Sequence, residues 1–187
     1  MTANVYFVRH AQSDISVKQD DIRPLTAVGK ADSKRVSAVL LSKGISKVYS
    51  SPYVRAVETV TDLANSIGTQ IILVDDFHER YTGGWVEDFF GFAQKQWQDF
   101  EYRRADGEFL REVQARNISA LEKVIKVSLG ENVVIGTHGT ALGAIINYYD
   151  CCFGYEDFCR IVDKMPYILR FTFRGLRVES IAEVKLP

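Results

Sequence analysis

Five side chains of related chemistry stand at comparable places along this sequence. Arg9 and His10 close a short apolar run, Asn4 to Val8. Arg55 follows Ser50-Ser51-Pro52, which ends a second run, Lys47 to Tyr49. Glu79 lies just beyond a third, Gln70 to Val74, and His138 directly follows a fourth, Asn132 to Gly136. Two arginines, two of the three histidines and a carboxylate suit a phosphate dianion. Guanidinium forks match phosphate oxygens in shape and charge. Each residue alone is commonplace: a histidine is more often structural than reactive, and Arg55 or Glu79 alone reads as a solvated charge. Their joint occurrence at strand ends is what carries the phosphate reading.

That reading requires elements that bring the strand ends together. Thr26, in Pro24-Leu25-Thr26, is an N-cap candidate for a helix in which Val36, Val39 and Leu40 recur at helical spacing before Gly44. A second amphipathic stretch runs from Val54 to Ile67 and stops at Gly68. Strands alternating with helices predict a parallel sheet, and ligands bind such sheets beyond the carboxyl ends of the strands, where helix N-termini add donors. The middle departs from this pattern. Trp85 to Tyr102 is rich in aromatic residues without strand alternation and predicts a helical excursion. The pattern resumes with a long helix over Glu108 to Leu129, and Thr137-His138-Gly139-Thr140 leads into another. The tail, Leu169 to Phe173 and then Arg177 to Val184 around Arg174-Gly175, predicts an antiparallel hairpin. With no repeats, linkers or low-complexity segments, residues 1–187 read as one domain.

Bulk properties narrow the function further. The 187 residues carry 23 Lys+Arg and 24 Asp+Glu, a net charge of −1, which points away from nucleic acid and anionic membranes. No apolar run approaches the ~20 residues needed to span a bilayer, and the N-terminus reads as a first strand rather than a secretion signal. Cys151, Cys152 and Cys159 have no nearby histidine for a zinc site and read as buried or half-buried free thiols, consistent with the cytoplasm.

The sequence resembles the histidine phosphatase superfamily, which includes cofactor-dependent phosphoglycerate mutases and many small phosphatases. The resemblance runs from Val5 to about Thr140. Val5 to Ser13 is similar to the family's strand followed by Arg-His-Gly-Glu/Gln-Ser/Thr. Pro24-Leu25-Thr26 with Gly29 resembles its next motif, and Ser50 to Thr59 its Ser-Ser-x-x-x-Arg-Ala-x-x-Thr. Gly136-Thr137-His138-Gly139 resembles the second histidine motif, and Gly107-Glu108 the pair that opens a long helix. The resemblance implies a three-layer α/β sandwich, with a mostly parallel central sheet flanked by helices and a helical cap insertion at about 80–107.

It also implies roles. His10 is the nucleophile that becomes phosphohistidine. Arg9, Arg55 and His138 hold phosphoryl oxygens, with Ser16 in support, and Glu79 protonates the leaving oxygen, with Glu87 in reserve. A neutral His10 and a protonated His138 are expected, so their environments should separate their pKa values. No metal or other cofactor is implied. Ala11 stands where the family has glycine, and would be strained if that position required positive φ. Gly83-Gly84-Trp85-Val86-Glu87-Asp88 only loosely follows the family's Gly-x-Trp-Glu-Gly.

The favoured activity is metal-independent hydrolysis of phosphomonoesters by a histidine acid-type phosphatase. A phosphoglycerate mutase comes second, with Arg103 and Arg104 as its candidate carboxylate anchor. A catalytically silent phosphate-binding or interaction domain comes third. A protein-phosphohistidine phosphatase is also a member of the superfamily, but the insertion disfavours an open protein-binding cleft. The expected partner is a small phosphorylated metabolite, and the expected assembly a monomer or homodimer.

Overall fold

A computed structural model describes residues 2–186. Six strands form one sheet: β1 (Thr2–Arg9), β2 (Ile45–Ser50), β3 (Ile71–Leu73), β4 (Asn132–Thr137), β5 (Tyr167–Arg174) and β6 (Arg177–Glu183). Their order is β3-β2-β4-β1-β5-β6. The first four are mutually parallel, and β5 and β6 add an antiparallel hairpin beside β1. The helices are α1 (Ala27–Leu40), α2 (Val54–Ser66), α3 (Phe89–Gln98), α4 (Leu110–Val127), α5 (Gly139–Tyr149) and α6 (Tyr155–Ile161). None of the described helices is long and apolar enough to cross a membrane.

Alternation along β1 explains the layering. Val5 and Phe7 face one way, onto Leu121 and Ile125 of α4 and Leu142 and Ile145 of α5. Tyr6 and Val8 face the other, onto Val36 and Leu40 of α1 and Val60 and Leu63 of α2. The central strands β1 and β4 are therefore apolar on both faces, as parallel strands under two helical layers must be. The edges are different. β3 has only three residues, and β6 presents Arg177, Glu179 and Glu183 to solvent, which discourages pairing with another chain.

Local signals set the helices that carry the site. The Thr26 hydroxyl accepts the Gly29 N–H at 3.1 Å and caps α1 as expected. Gly29 cannot carry a side chain, because its Cβ would lie 2.2 Å from the Gln12 carbonyl oxygen. This contact presses α1 against the chain leaving β1. In α2, Ala56, Val60, Leu63 and Ala64 make the buried stripe.

The insertion is less helical than its composition suggests. Only Phe89–Gln98 is helical, starting where the Asp88 carboxylate accepts the Gly91 N–H at 2.9 Å. Gly83 and Gly84 have φ of 70° and 121°, so Trp85 to Glu87 lie in a loop. Ala93 and Trp97 of α3 pack with Leu110, Val113, Ala144 and Phe158 in a separate apolar cluster. Helix α6, which sequence reasoning missed, completes that cluster. Its signal was the Asp157 carboxylate, which accepts the Gly154 N–H at 3.1 Å. The thiol expectation is corrected: Cys151 and Cys152 are exposed in the turn before α6, and only Cys159 is half-buried. Asp150 ends α5 and turns the chain outward there, which spacing alone did not reveal.

Candidate active site

The carboxyl ends of β1, β2 and β4 meet at the floor of a cavity of about 860 Å³. His10 follows β1, and its Nδ1 lies 2.8 Å from the Ala11 carbonyl oxygen. A carbonyl can only accept, so Nδ1 carries the proton and the Nε2 lone pair is free. Burial, reinforced by Arg55 and Arg9, pushes His10 well below its ordinary value of 6.5. The ring is therefore neutral at physiological pH, as a nucleophile must be. The Ala11 N–H donates to the Thr59 hydroxyl at 3.0 Å, which in turn donates to the Arg55 carbonyl at 2.7 Å. This relay fixes the backbone after the nucleophile candidate to the helix that carries Arg55. Ala11 is unstrained, since Asp106 is the one described non-glycine residue at positive φ.

Two guanidinium groups flank His10. The Arg9 Nη1 donates to the carbonyls of Ile161 (2.9 Å) and Val162 at the end of α6. Burial lowers Arg9 to about 10, so it is still charged at neutral pH. Gly139 leaves room for it, since a Cβ there would approach the guanidinium to 3.2 Å. Arg55, buried at the start of α2, donates through Nη1 to the Asp20 carbonyl and through Nη2 to its carboxylate at 3.2 Å.

Glu79 reaches the site from the segment after β3. Its Oε2 accepts the Thr140 N–H at 2.9 Å, and its Oε1 accepts those of Ala141 at 3.1 Å and Arg80 at 2.7 Å. The carboxylate therefore sits on the N-terminus of α5, where the helix dipole favours an anion. Arg116 of α4 holds the segment from behind, donating to the carbonyls of Asp76 (2.7 Å), His78 (2.8 Å) and Glu79 (3.3 Å). It also pairs with Glu108 at 2.8 Å. Burial opposes ionisation of Glu108, but bonds from His78 and Arg116 overcome that and hold it at about 2.

The family model of the histidine phosphatase superfamily (branch 1) matches residues 5–161. The chain belongs to that superfamily. A putative phosphoserine phosphatase 2 of Hydrogenobacter thermophilus is 28% identical over 158 residues, 76% of each chain. A probable phosphoglycerate mutase of an Enterobacter species is 27% identical over 157 residues, 76% of this chain and 73% of that one. Among solved structures, one titled mycobacterial hydrolase 1 superposes with a TM-score of 0.80 at 17% identity, covering 99% of this chain and 98% of that one. A phosphoserine phosphatase of Entamoeba histolytica superposes with a TM-score of 0.77 at 18% identity, covering 96% of both. At these identities the structures speak to the α/β fold, which is the one expected.

In this histidine phosphatase superfamily member, Arg9, His10, Arg55 and Glu79 all line the cavity. His138 is brought close, with its ring centroid 5.4 Å from that of His10, but it is fully buried beneath the lining. Its Nε2 lies 2.7 Å from the Ser51 hydroxyl, and its Nδ1 has no partner. The expected opposite shifts of the two rings do not occur. Burial and Arg55 push His138 well below 6.5 as well, so a protonated His138 is corrected to a neutral one.

Ser16, Arg103 and Arg104 fall outside the cavity. The hydroxyl and N–H of Ser16 both bond the Asp14 carboxylate on an exposed loop. Arg103 stacks over Phe109, 4.2 Å from the ring centroid, and Arg104 donates to the Trp85 carbonyl at 3.0 Å. Neither arginine lines the cavity, although the Trp85 whose carbonyl Arg104 bonds does. Glu87 does lie on the cavity rim, exposed and at the loop end of α3.

Sequence reasoning missed three contributors. Asp20 pairs with Arg55, Arg116 positions the Glu79 segment, and Arg80 is buried in the wall, donating to Gln96 and stacked over Phe92. Only Arg80, adjacent to Glu79, had a local signal.

The histidines also predict how stability depends on pH. The folded pKa values of His10 and His138 lie below the unfolded value of 6.5. As pH falls below 6.5 the unfolded chain takes up protons that the folded chain refuses, so stability drops. Burial alone would lower His78, but its Glu108 bond shifts it up, so its stabilisation is fully present below 6.5 and is lost only as pH rises above that value. The urea midpoint should therefore fall between pH 6.5 and 5, with proton uptake on unfolding approaching two. A midpoint that holds steady or rises across this range would show that the two rings are not buried neutral.

Proposed function

We propose that this chain is a metal-independent, histidine acid-type phosphatase that hydrolyses phosphomonoesters through a phosphohistidine on His10. The observation that carries the reading is the His10 ring itself: neutral, held by the Ala11 carbonyl, with Nε2 free and in a cavity that Arg9 and Arg55 also line. The Nε2 lone pair attacks phosphorus as the bond from phosphorus to the leaving oxygen breaks. Arg9 and Arg55 stabilise the equatorial oxygens, so catalysis is mainly positioning and charge stabilisation. His138, bonded to Ser51 beneath the lining, packs behind His10 and backs the nucleophile's ring. Glu79 supplies the proton for the leaving oxygen and takes one from the water that cleaves the N–P bond. Its Oε2, which accepts one N–H where Oε1 accepts two, is the freer oxygen for that proton. Phosphatase ranks above mutase because neither Arg103 nor Arg104 is among the residues that line the cavity.

A panel of phosphomonoesters assayed with and without EDTA tests the assignment. Hydrolysis should survive chelation, and interconversion of 2- and 3-phosphoglycerate should be negligible even with 2,3-bisphosphoglycerate supplied. Mutase turnover well above hydrolysis would reverse the ranking, and activity lost to EDTA and restored by Mg²⁺ would remove the metal-independent mechanism. Arg55→Ala should lower kcat/KM by about 10²–10³, the usual cost of one preorganised transition-state donor.

A further inference from the structure

The Arg55 fork that faces His10 is already engaged by an anion belonging to the chain. Asp20 and Arg55 line the same cavity, and the Asp20 carboxylate meets Arg55 Nη2 at 3.2 Å. The other Asp20 oxygen is held by Arg23 at 2.9 Å. The loop carrying Asp20 is tied down on several sides. Arg23 Nε donates to the Val17 carbonyl at 2.8 Å, and the Val54 N–H to the Asp21 carbonyl at 2.9 Å. At the cap side, the Lys18 ammonium lies 3.6 Å from the centroid of the Trp85 ring. Asp20 is therefore placed by its surroundings, while Arg55 is almost wholly buried and its Nε has no hydrogen-bond partner.

We propose that the Asp20 carboxylate is a built-in competitor for Arg55 and sets the affinity of the site for phosphate, both in the substrate and as the released product. The inference rests on the phosphate-site reading above. A phosphoryl oxygen reaching Nη2 competes with the carboxylate for the same guanidinium charge, and displaces it where it takes the N–H that Asp20 now holds. That displacement is made easier because Arg23 retains the other carboxylate oxygen, so Asp20 is not left unpaired. The Asp20 carbonyl bond to Nη1 survives the exchange and keeps the guanidinium aimed. Asp20 is thus a positioning residue acting through Arg55. It weakens ground-state binding of a dianion, and that weakening favours release of inorganic phosphate.

The test is calorimetric titration of the intact protein with inorganic phosphate at fixed pH and salt. Asp20→Asn and Asp20→Ser both remove the carboxylate and keep the backbone carbonyl, and Asp21→Asn removes a neighbouring charge from the same loop. Both Asp20 variants should bind phosphate roughly tenfold more tightly, the scale of one charge-assisted hydrogen bond returned to the ligand. Asp21→Asn should stay within about twofold. KM and the inhibition constant for phosphate should fall together in the Asp20 variants, whereas loss of a purely structural support would raise both. Unchanged or weaker binding in a folded Asp20 variant overturns the inference. Equal tightening in Asp21→Asn also overturns it, by reducing the effect to net charge. No phosphate binding in any of the proteins would instead remove the phosphate-site reading, and this inference with it.

Discussion

His10→Ala is expected to abolish turnover while the protein stays folded. The ring supplies the electron pair that forms the N–P bond, and no nearby group duplicates it. His138 is 5.4 Å away between ring centroids, but is buried and bonded to Ser51. The loss should be at least about 10⁴-fold, as when other covalent enzymes lose their nucleophile. Stability should change less. Truncation removes one ring and its single bond to the Ala11 carbonyl, but leaves the Ala11–Thr59–Arg55 relay in place. Rapid quenching of the unaltered protein with a labelled substrate should trap acid-labile, base-stable phosphate on His10. A His10→Ala protein with full activity would end the covalent mechanism, and a phosphoryl group found on another residue would relocate it.

Glu79→Gln should lower kcat by about 10²–10⁴ for substrates with poor alkyl leaving groups, the range typical of general acid catalysis. For nitrophenyl phosphate the loss should be much smaller, since nitrophenolate departs without a proton. The amide keeps an oxygen for one of the α5 N–H groups, but places NH₂ where the carboxylate now accepts others. Some loss of helix capping therefore accompanies the loss of proton transfer. Comparing leaving groups separates the two effects, because misplacement slows every substrate and a missing proton slows the poor leaving groups most. Equal losses across the series would take Glu79 out of the acid role. Arg116→Ala offers a contrasting result. It frees the carbonyls of Asp76, His78 and Glu79, and should slow all substrates alike.

The sequence was most informative where the constraint is local. β1 and β4 were legible because a strand covered on both faces must be an unbroken apolar run. The helix over 27–40 was legible because Thr26 caps it. Arg9, His10 and Arg55 were legible because a parallel sheet delivers residues after its strands to a common edge. Features set by distant contacts were not legible. Asp20 meets Arg55 across 35 residues and Arg116 reaches Asp76 across 40, and no spacing announces either. Arg103 and Arg104 looked like anchors because sequence reveals charge but not which side of a turn displays it. The expected protonation of His138 failed for a related reason. Its charge state depends on Arg55 and on burial beneath the cavity lining, both products of the completed fold.

The placement of β1 also bears on how the chain is built during synthesis. This strand is made before the other five, yet its neighbours in the sheet are β4 and β5, with Asn4 opposite Asn132 and Thr2 opposite Arg174. While residues up to about 130 leave the ribosome, the strand that ends in Arg9-His10 has neither of its edges satisfied. The segment Val5-Tyr6-Phe7-Val8, buried on both faces in the finished sheet, spends that interval without its two neighbouring strands. Pairings so far apart in sequence are slow to form and leave apolar edges open to aggregation. The phosphate floor is therefore a late product of folding. A nascent chain interrupted before β5 would lack a functional site and would carry an adhesive first strand, a natural target for chaperones that hold extended apolar segments.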